Sequence, residues 1–328
     1  MPCQRDASTE DWRIERKSNM LGRVLQRCKQ WAKTLPYPVF LRLFYLWFYT
    51  VQMTPARLER RRARLPLLAA SAVQAVKTSD RLFILGGGSS INRMGPERWE
   101  AISRHDTVGL NWWTLHPFVP RIYFFENFGQ ESPPGALELQ TKAFTRRSDE
   151  YAETVKVAME LPRTGAHLLE ELPAAFRRNL YAAYSLQAPA RTPGELTQAL
   201  KYLARTGAFE RDSHYKYLFK YASSVTAILT LAIKVGYRKV VLCGFDLHDQ
   251  DYFFFDRELY PETADLDFMP RNQPHDSNVA TKWRIPAVEA ILTIREALLQ
   301  PAGIELFVES SGSALHPQVP LAPEETFC

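Results

Sequence analysis

The sequence predicts an α/β fold: a Rossmann-like, mainly parallel sheet with helices on both faces, preceded by an N-terminal helical segment that associates with a membrane. Three observations support this prediction. Short apolar runs end in glycine or polar residues, helical patterns separate these runs, and the 328 residues are 46% hydrophobic. A chain of that length and composition can bury a large core.

Five apolar runs predict strands, namely residues 81–85, 107–110, 121–125, 239–243 and 304–308. Residues 223–235 and 285–299 have helical patterns, whereas 130–215 are hard to interpret. Strand–helix alternation is typical of parallel sheets, in which ligands bind beyond the carboxyl ends of the strands. Polar groups follow the predicted strands at Gly86-Gly87-Gly88-Ser89-Ser90, Asn111, Asn127, Asp246 and Ser310-Ser311.

The charge is unevenly distributed along the chain. Residues 1–66 contain 14 Lys and Arg against 5 Asp and Glu, whereas the remainder contains 27 against 31. The acidic body disfavours a nucleic-acid-binding protein. The four cysteines are far apart and form no CxxC pair, which disfavours a zinc site or a disulfide framework and favours a reducing compartment.

The N-terminal segment combines apolar and basic residues. Residues 21–35 have the pattern of an amphipathic helix. Residues 39–53 are dense in aromatic residues, but their uninterrupted apolar run is too short to cross a bilayer. A basic cluster follows at Arg57, Arg60, Arg61, Arg62 and Arg64. This pattern predicts a membrane-surface anchor on the cytoplasmic face of an inner membrane. Packing of these helices on the body or on another subunit of a homo-oligomer is the alternative.

The predicted domains are an anchor at residues 1–76 and a Rossmann-like domain at 77–328, with a lid at about 247–275. The glycine turn 86–90 follows a strand, where glycine lets a backbone approach a ligand closely. The dinucleotide pattern GxGxxG fails at Ile91, and no Walker GK[ST] follows.

Two acidic clusters raise the alternative of a metal site. One is Asp246, His248, Asp249, Asp251 and His275, and the other is the DxD-like triplet Asp265-Leu266-Asp267. Short acidic patterns are common in polar surface loops, so we predict no metal site. His275 lies in a polar loop before a helix, where it is either a general base for a hydroxyl or a helix-capping residue.

The order of these motifs resembles glycosyltransferase family forty-two, the bacterial CMP-sialic acid sialyltransferases. The family's Gly-Asn-Gly-Pro-Ser-Leu turn is matched by Gly86 to Ile91, and its two strand-end asparagines by Asn111 and Asn127. Its Ser-Gly-Val helix start and Ser-Gly-Ile-Asp-Phe strand end are similar to Ser223-Ser224-Val225 and Cys243-Gly244-Phe245-Asp246. Its lid motif is similar to Tyr252-Phe253-Phe254-Phe255-Asp256, and its catalytic histidine precedes a helix as His275 does.

The resemblance implies an inverting, metal-independent transfer from a CMP-activated sugar, without a cofactor, in lipopolysaccharide or capsule biosynthesis. His275 would accept the proton of a glycan or glycolipid hydroxyl, and Tyr252 would donate to the departing phosphate. The CMP portion would be bound by the glycine turn, Asn111, Asn127, Ser223 and Ser224, and the nucleotide pocket shaped by Gly244, Phe245 and Asp246.

The chain departs from the family pattern in three ways. His248 replaces a second phosphate-binding tyrosine, Gly87 and Ser89 replace an asparagine and a proline, and the anchor is N-terminal. The donor can therefore be CMP-sialic acid, CMP-Kdo or another nonulosonate, whose carboxylate would pair with Arg271, Lys282 or Arg284. The competing functions are a nicotinamide-dependent oxidoreductase and a non-catalytic, membrane-associated nucleotide-binding scaffold.

Overall fold

The computed structural model describes residues 35–126, 135–161, 166–248, 251–263, 274–281 and 284–328. The chain divides into two compact units, Met1–Thr50 and Val51–Cys328. Residues 66–68 belong with the second unit because Leu68 N–H and Ala182 N–H form hydrogen bonds to Ala182 O and Pro66 O, at 2.9 and 2.8 Å. These bonds attach the chain after the basic cluster to the edge of the central sheet.

The described part of the first unit contains helix α1, Tyr37–Trp47, which starts after Pro36. Pro38 lies in the first turn, which suits proline because an N–H group there has no intrahelical partner to lose. Val39, Leu43, Leu46 and Trp47 are exposed on this helix. Except for Leu35, the amphipathic helix predicted at 21–35 lies outside the described residues, so membrane association stays a prediction. Among the described residues, no helix combines the length and the apolar character needed to span a membrane.

The second unit contains nine described strands and nine described helices. The strands are β1 (Arg81–Leu85), β2 (Asp106–Leu110), β3 (Ile122–Phe125), β4 (Val155–Ala158), β5 (Leu180–Ala182), β6 (Tyr184–Leu186), β7 (Tyr217–Phe219), β8 (Lys239–Cys243) and β9 (Glu305–Val308). The helices are α2 (Thr54–Arg62), α3 (Ala70–Gln74), α4 (Pro96–Ser103), α5 (Ala136–Arg146), α6 (Ala166–Glu171), α7 (Ala174–Arg177), α8 (Pro193–Arg205), α9 (Val225–Val235) and α10 (Ala287–Ile294).

Seven strands form one parallel sheet in the order β5-β4-β3-β2-β1-β8-β9. The predicted α/β class with a Rossmann-like parallel sheet is confirmed. The central strands are apolar along their whole length because the sheet is buried: from Leu82 to Leu85, β1 is fully buried. Strands β6 and β7 form a separate parallel pair.

The strand order reverses direction at β1. From β1 the chain adds β2, β3, β4 and β5 on one side, and later adds β8 and β9 on the other. In open parallel sheets, such a reversal leaves a crevice beyond the carboxyl ends of the two neighbouring strands, and ligands bind there. The fold therefore directs the search for a site to the ends of β1 and β8.

The region that was hard to interpret, residues 130–215, contains β4, β5 and β6 as well as α5 to α8. Strand β4 is not recognisable from its hydropathy because Lys156, a charged residue, lies within it and is fully buried. Its ammonium donates to the carbonyls of Tyr151 and Thr154, which satisfy the charge without a carboxylate. Burial lowers the pKa of Lys156 to about 8.

Candidate functional site

The glycine turn and the end of β8 are locked together at the reversal point of the sheet. Gly86 N–H donates to Cys243 O and Gly88 N–H to Gly244 O, both at 2.8 Å. A Cβ atom on Gly86 would lie 2.6 Å from Gly244 O, which no side chain tolerates. Glycine is needed here because two backbones pack closely, whereas the sequence pattern suggested a close approach to a ligand.

Asp246 holds this turn from the other side. Its carboxylate accepts hydrogen bonds from Ser90 N–H at 2.9 Å and from Ser90 Oγ at 2.5 Å. A Cβ on Gly88 would overlap the same carboxylate. Phe245 O and Asp246 O accept from Ser313 Oγ and Ala314 N–H, so the Gly244–Asp246 turn is anchored on both sides. These contacts show that Asp246 stabilises the glycine turn.

The turn offers few amide groups to a ligand. Four of its five N–H groups, all but that of Gly87, donate to oxygens of the described chain. It continues into a five-residue 3-10 turn, Ser89–Arg93, and not into an α-helix. A phosphate cradle made of free backbone N–H groups, as in nucleotide-binding glycine loops, is therefore not built here.

Tyr252 lies against the glycine turn. Gly88 and Tyr252 form an antiparallel bridge, and Phe253 N–H donates to Gly87 O at 2.8 Å. The phenol ring stacks on Phe254, with 5.2 Å between ring centroids and 4° between planes. Burial, and to a lesser extent the Asp276 carboxylate, raises the pKa of Tyr252 to about 12. The hydroxyl is therefore protonated at neutral pH and can donate a hydrogen bond to an anion.

His275 is the second titratable group at this edge, and its ring centroid lies 6.0 Å from that of Tyr252. Its Nδ1 contacts Ser277 N at 3.3 Å and Ser277 Oγ at 2.7 Å, so it caps the short 3-10 turn Asp276–Asn278. Asn278 connects this loop to the end of β8 because its Nδ2 donates to Leu247 O at 3.2 Å. The two interpretations of His275, capping residue and site residue, are therefore compatible.

The Ser277 contacts determine which nitrogen of His275 can act as a base. If Nδ1 accepts the Ser277 N–H, the neutral ring carries its proton on Nε2 and that nitrogen donates. If Nδ1–H instead donates to Ser277 Oγ, Nε2 has the lone pair that a general base needs. The 2.7 Å contact to Oγ has the length of a good hydrogen bond and allows this second tautomer.

Asn111 follows β2 in a left-handed conformation, with φ at 51°, which asparagine adopts more easily than most residues. Its Oδ1 accepts from Glu126 N–H at 3.3 Å, and its carbonyl accepts from the Tyr123 hydroxyl. The turn that starts at Asn111 reaches the Tyr252 turn through Trp112, whose ring lies 5.8 Å from that of Phe254.

A buried charge cluster at the ends of β3, β4 and β7 was missed in the sequence. Lys220 pairs with Glu126 at 2.7 Å and with Glu160 at 2.6 Å, and Ser224 Oγ donates to Glu126. Burial alone would lower the pKa of Lys220, but the two carboxylates outweigh it and raise the pKa. Ser224, at the start of α9, thus faces a carboxylate that would repel a phosphate. Ser223 O in turn accepts from Thr226 Oγ1, at the start of the same helix.

The remaining predicted site residues are not brought together by the described structure. His248 is exposed, next to Leu247 in a left-handed conformation. Asn127, Asp249, Asp265, Asp267 and Arg271 lie outside the described residues. Among the residues that are described, there is no group of three or more His, Cys, Asp or Glu that could bind a metal ion.

Two signals in the sequence point to the residues that were missed. Glu126 directly follows a predicted strand, at a position equivalent to Asn111, so the strand-end rule applies to it. Ser277 lies two residues after His275, the spacing of a side chain that can cap its own loop.

Comparison with known proteins identifies no relative: no family model matches the chain, and no curated protein matches it.

Proposed function

We propose that the chain is an inverting glycosyltransferase that moves sialic acid or a related nonulosonate from a CMP-activated donor to a hydroxyl of a glycan or glycolipid. One observation carries this proposal. Tyr252, a protonated phenol, bridges to the glycine turn at the reversal point of the sheet, and its ring centroid lies 6.0 Å from that of the His275 imidazole. The resemblance of the motif order to glycosyltransferase family forty-two supports the same activity.

The proposed reaction needs one proton acceptor and one donor to a leaving anion. The acceptor oxygen attacks the anomeric carbon, a C–O bond forms, and the bond from that carbon to the CMP phosphate oxygen breaks with its electron pair. Nε2 of His275 takes the hydroxyl proton as the new bond forms. The Tyr252 hydroxyl donates to the phosphate oxygen, on which negative charge develops, and so stabilises the transition state.

Arg284 is the described candidate for binding the donor carboxylate. Its Nη2 donates to Asp276 O at 2.7 Å, which holds it beside the His275 loop. Its Nε is buried and has no hydrogen-bond partner among the described residues. A carboxylate that accepts from this guanidinium would satisfy the buried donor, because paired N–H groups match carboxylate geometry.

The buried charge cluster around Glu126 and Lys220 suggests that different residues of the nucleotide site bind the phosphate and the ribose. Phosphate contacts would come from Tyr252, Ser89 and the amide of Gly87, which has no hydrogen-bond partner among the described residues, since these groups donate and carry no negative charge. Ser224 and Glu126 would instead face hydroxyl groups of the ribose, because a carboxylate accepts hydrogen bonds from hydroxyls and repels phosphate. Asn111 lies next to this cluster through its bond to Glu126 N–H.

The proposal is tested by measuring CMP release from CMP-sialic acid and CMP-Kdo side by side, with and without EDTA. We expect one of the two donors to be cleaved and the rate to survive chelation. Loss of activity in EDTA, restored by Mg²⁺ or Mn²⁺, would assign a metal-dependent mechanism with Asp265 and Asp267 as ligands. Selective cleavage of CMP-Kdo would assign the alternative donor on the same site.

Thermal-shift measurements with CMP, CDP and NAD separate the other functions. A transferase of this kind is stabilised by CMP and by CDP, because both carry the cytidine phosphate group. Stabilisation by NAD alone would contradict the proposal and indicate an oxidoreductase. Stabilisation by CMP without cleavage of either donor would indicate a nucleotide-binding scaffold.

A further inference from the structure

A second pocket lies away from the candidate site, at the amino end of β5. It has a volume of about 550 Å³ and is lined by residues from the end of α2, from α6 and α7, and from the start of β5. These residues are Ala63, Arg64, Leu65, Pro66, Glu170, Arg177, Asn179, Leu180 and Tyr181. The candidate site, in contrast, lies at the carboxyl ends of β1 and β8.

Two exposed arginines give this pocket a positive charge. Among the described residues, neither Arg64 nor Arg177 makes an ion pair, and Glu170 is the only carboxylate on the described lining. By contrast, the neighbouring Arg178 is paired with Glu153 at 2.7 Å. Asn179 and Tyr181 also line the pocket, and two guanidinium groups without an ion-pair partner among the described residues are suited to binding a phosphate group.

The backbone at Arg64 is strained in a way that favours a role for its side chain. Arg64 lies just after α2 with φ at 51°, the left-handed conformation that glycine normally takes at the end of a helix. Leu65 N–H bonds to Arg60 O at 3.2 Å, the pattern of a glycine-terminated helix. An arginine here costs backbone free energy that a glycine would not. In this position, Arg64 contributes its guanidinium group to the pocket lining.

The surface of helix α2 indicates which kind of phosphate-bearing ligand the pocket binds. Leu58 is 47% exposed, and Arg61 and Arg62, three and four residues later, are exposed on the same helix. An exposed apolar side chain among arginines is typical of a helix at a lipid headgroup boundary. We propose that this pocket binds the phosphate of an anionic membrane lipid through Arg64 and Arg177. This site is independent of the transferase chemistry.

The test is flotation of the full-length protein with vesicles of phosphatidylcholine alone and of equal parts phosphatidylcholine and phosphatidylglycerol. Wild-type protein should float only with the anionic vesicles. Arg177→Gln and Arg64→Gly should each weaken this binding about fivefold, the loss expected for one arginine at an anionic surface. Glu170→Gln should strengthen it, because a repelling carboxylate is removed.

Arg178→Gln is the matched control, since it removes the same charge one residue away, outside the pocket lining. It should change vesicle binding by no more than about twofold if the pocket is specific. Arg64→Gly should also keep or raise the melting temperature, because glycine relieves the backbone strain. Equal losses in Arg177→Gln and Arg178→Gln would overturn the proposal and leave only diffuse charge attraction.

A second measurement distinguishes a lipid from a soluble anion. Titration of the full-length protein with inorganic phosphate should show no saturable binding, because a free phosphate lacks the bilayer contacts made by α2. Saturable phosphate binding that disappears in Arg177→Gln, together with no flotation of the wild type, would overturn the lipid assignment.

Discussion

His275 and Ser277 set the acid–base properties of the candidate site at the scale of single residues. Nε2 of His275 accepts a proton only in the tautomer in which Nδ1–H donates to Ser277 Oγ, 2.7 Å away. Tyr252 has the opposite task. With its pKa raised to about 12, first by burial and then by Asp276, it keeps its proton across the physiological range. A fixed donor therefore lies beside a group that can accept.

We predict that His275→Ala lowers kcat by about 10²–10⁴-fold, the usual contribution of a general base, and leaves CMP affinity near wild type. Ser277→Ala should lower kcat less and alter the pH–rate profile, because the ring loses the group that selects its tautomer. Steady-state kinetics on a verified acceptor, paired with CMP titration, measures both effects. Near-normal turnover in His275→Ala would show that the base is another residue, with His248 the next candidate.

Tyr252→Phe is predicted to lower kcat without removing the pH dependence that His275 imposes. The variant keeps the ring that stacks on Phe254, so the fold of the turn should survive. Under the proposed mechanism it loses a hydrogen bond to the developing phosphate charge, which costs about 10²–10³-fold for a donor of this kind. An unchanged rate of CMP release would mean that the phosphate does not contact this hydroxyl.

At the scale of elements, the site depends on two turns that interlock. The glycine turn after β1 and the Gly244–Asp246 turn after β8 exchange backbone and carboxylate hydrogen bonds. Gly244 takes a left-handed conformation with φ at 71°, and a Cβ there would lie 2.5 Å from the Ile91 side chain. The position of Tyr252, which bridges to Gly88, depends on this interlock.

Gly88→Ala is predicted to destabilise the protein by about 1–3 kcal/mol, because the new methyl group displaces the Asp246 carboxylate from Ser90. CMP binding should weaken at the same time. Gly95→Ala is the matched control, since nothing lies within 4 Å of its added Cβ. Denaturant midpoints and CMP titrations measure the pair. Equal stability of the two variants would contradict the interlock.

Several elements are predictable from the sequence, and others are not, for identifiable physical reasons. Strands β1 and β8 are apolar runs followed by glycine, so their positions follow from the sequence pattern. Strand β4 is not predictable from hydropathy because the buried Lys156 interrupts its apolar run. Strand β5 is not predictable because it has only three residues. Tertiary contacts stabilise these two strands, and a local pattern does not contain that information.

At the scale of the whole molecule, the site depends on contacts between distant parts of the chain. Ser90 meets Asp246 and Glu126 meets Lys220, although each pair of residues lies far apart in the sequence. The sequence correctly indicates that polar groups gather at the carboxyl ends of the strands, because parallel strands share one edge. It does not reveal that Asp246 serves the turn, or that Ser224 faces a carboxylate, since those partners are fixed only by folding.

The stability of the whole molecule should fall in acid because of buried His116, which packs between Trp99 and Trp113. Burial, and secondarily Arg147, lowers the pKa of His116 to about 3. Between pH 6.5 and 3 the unfolded chain binds a proton here that the folded chain excludes, so the free energy of unfolding falls as pH falls.

The loss in this window is at most about 1.4 kcal/mol for each pH unit. His116→Phe removes the titrating group and should make the pH dependence of the free energy of unfolding shallower. The exposed His248→Gln is the control and should leave that slope unchanged. Urea unfolding at a series of pH values measures how the free energy of unfolding depends on pH in each variant. A slope in His116→Phe equal to that of the wild type would contradict this role.

A crystal structure of the protein with CMP bound tests the central claim most directly. The claim is that the crevice beyond β1 and β8 binds the cytidine phosphate portion of the donor. We predict CMP at that edge, with a phosphate oxygen about 2.5–3.0 Å from the Tyr252 hydroxyl and the ribose towards Ser224 and Glu126. CMP bound elsewhere on the molecule, or with its phosphate away from Tyr252, would contradict the account.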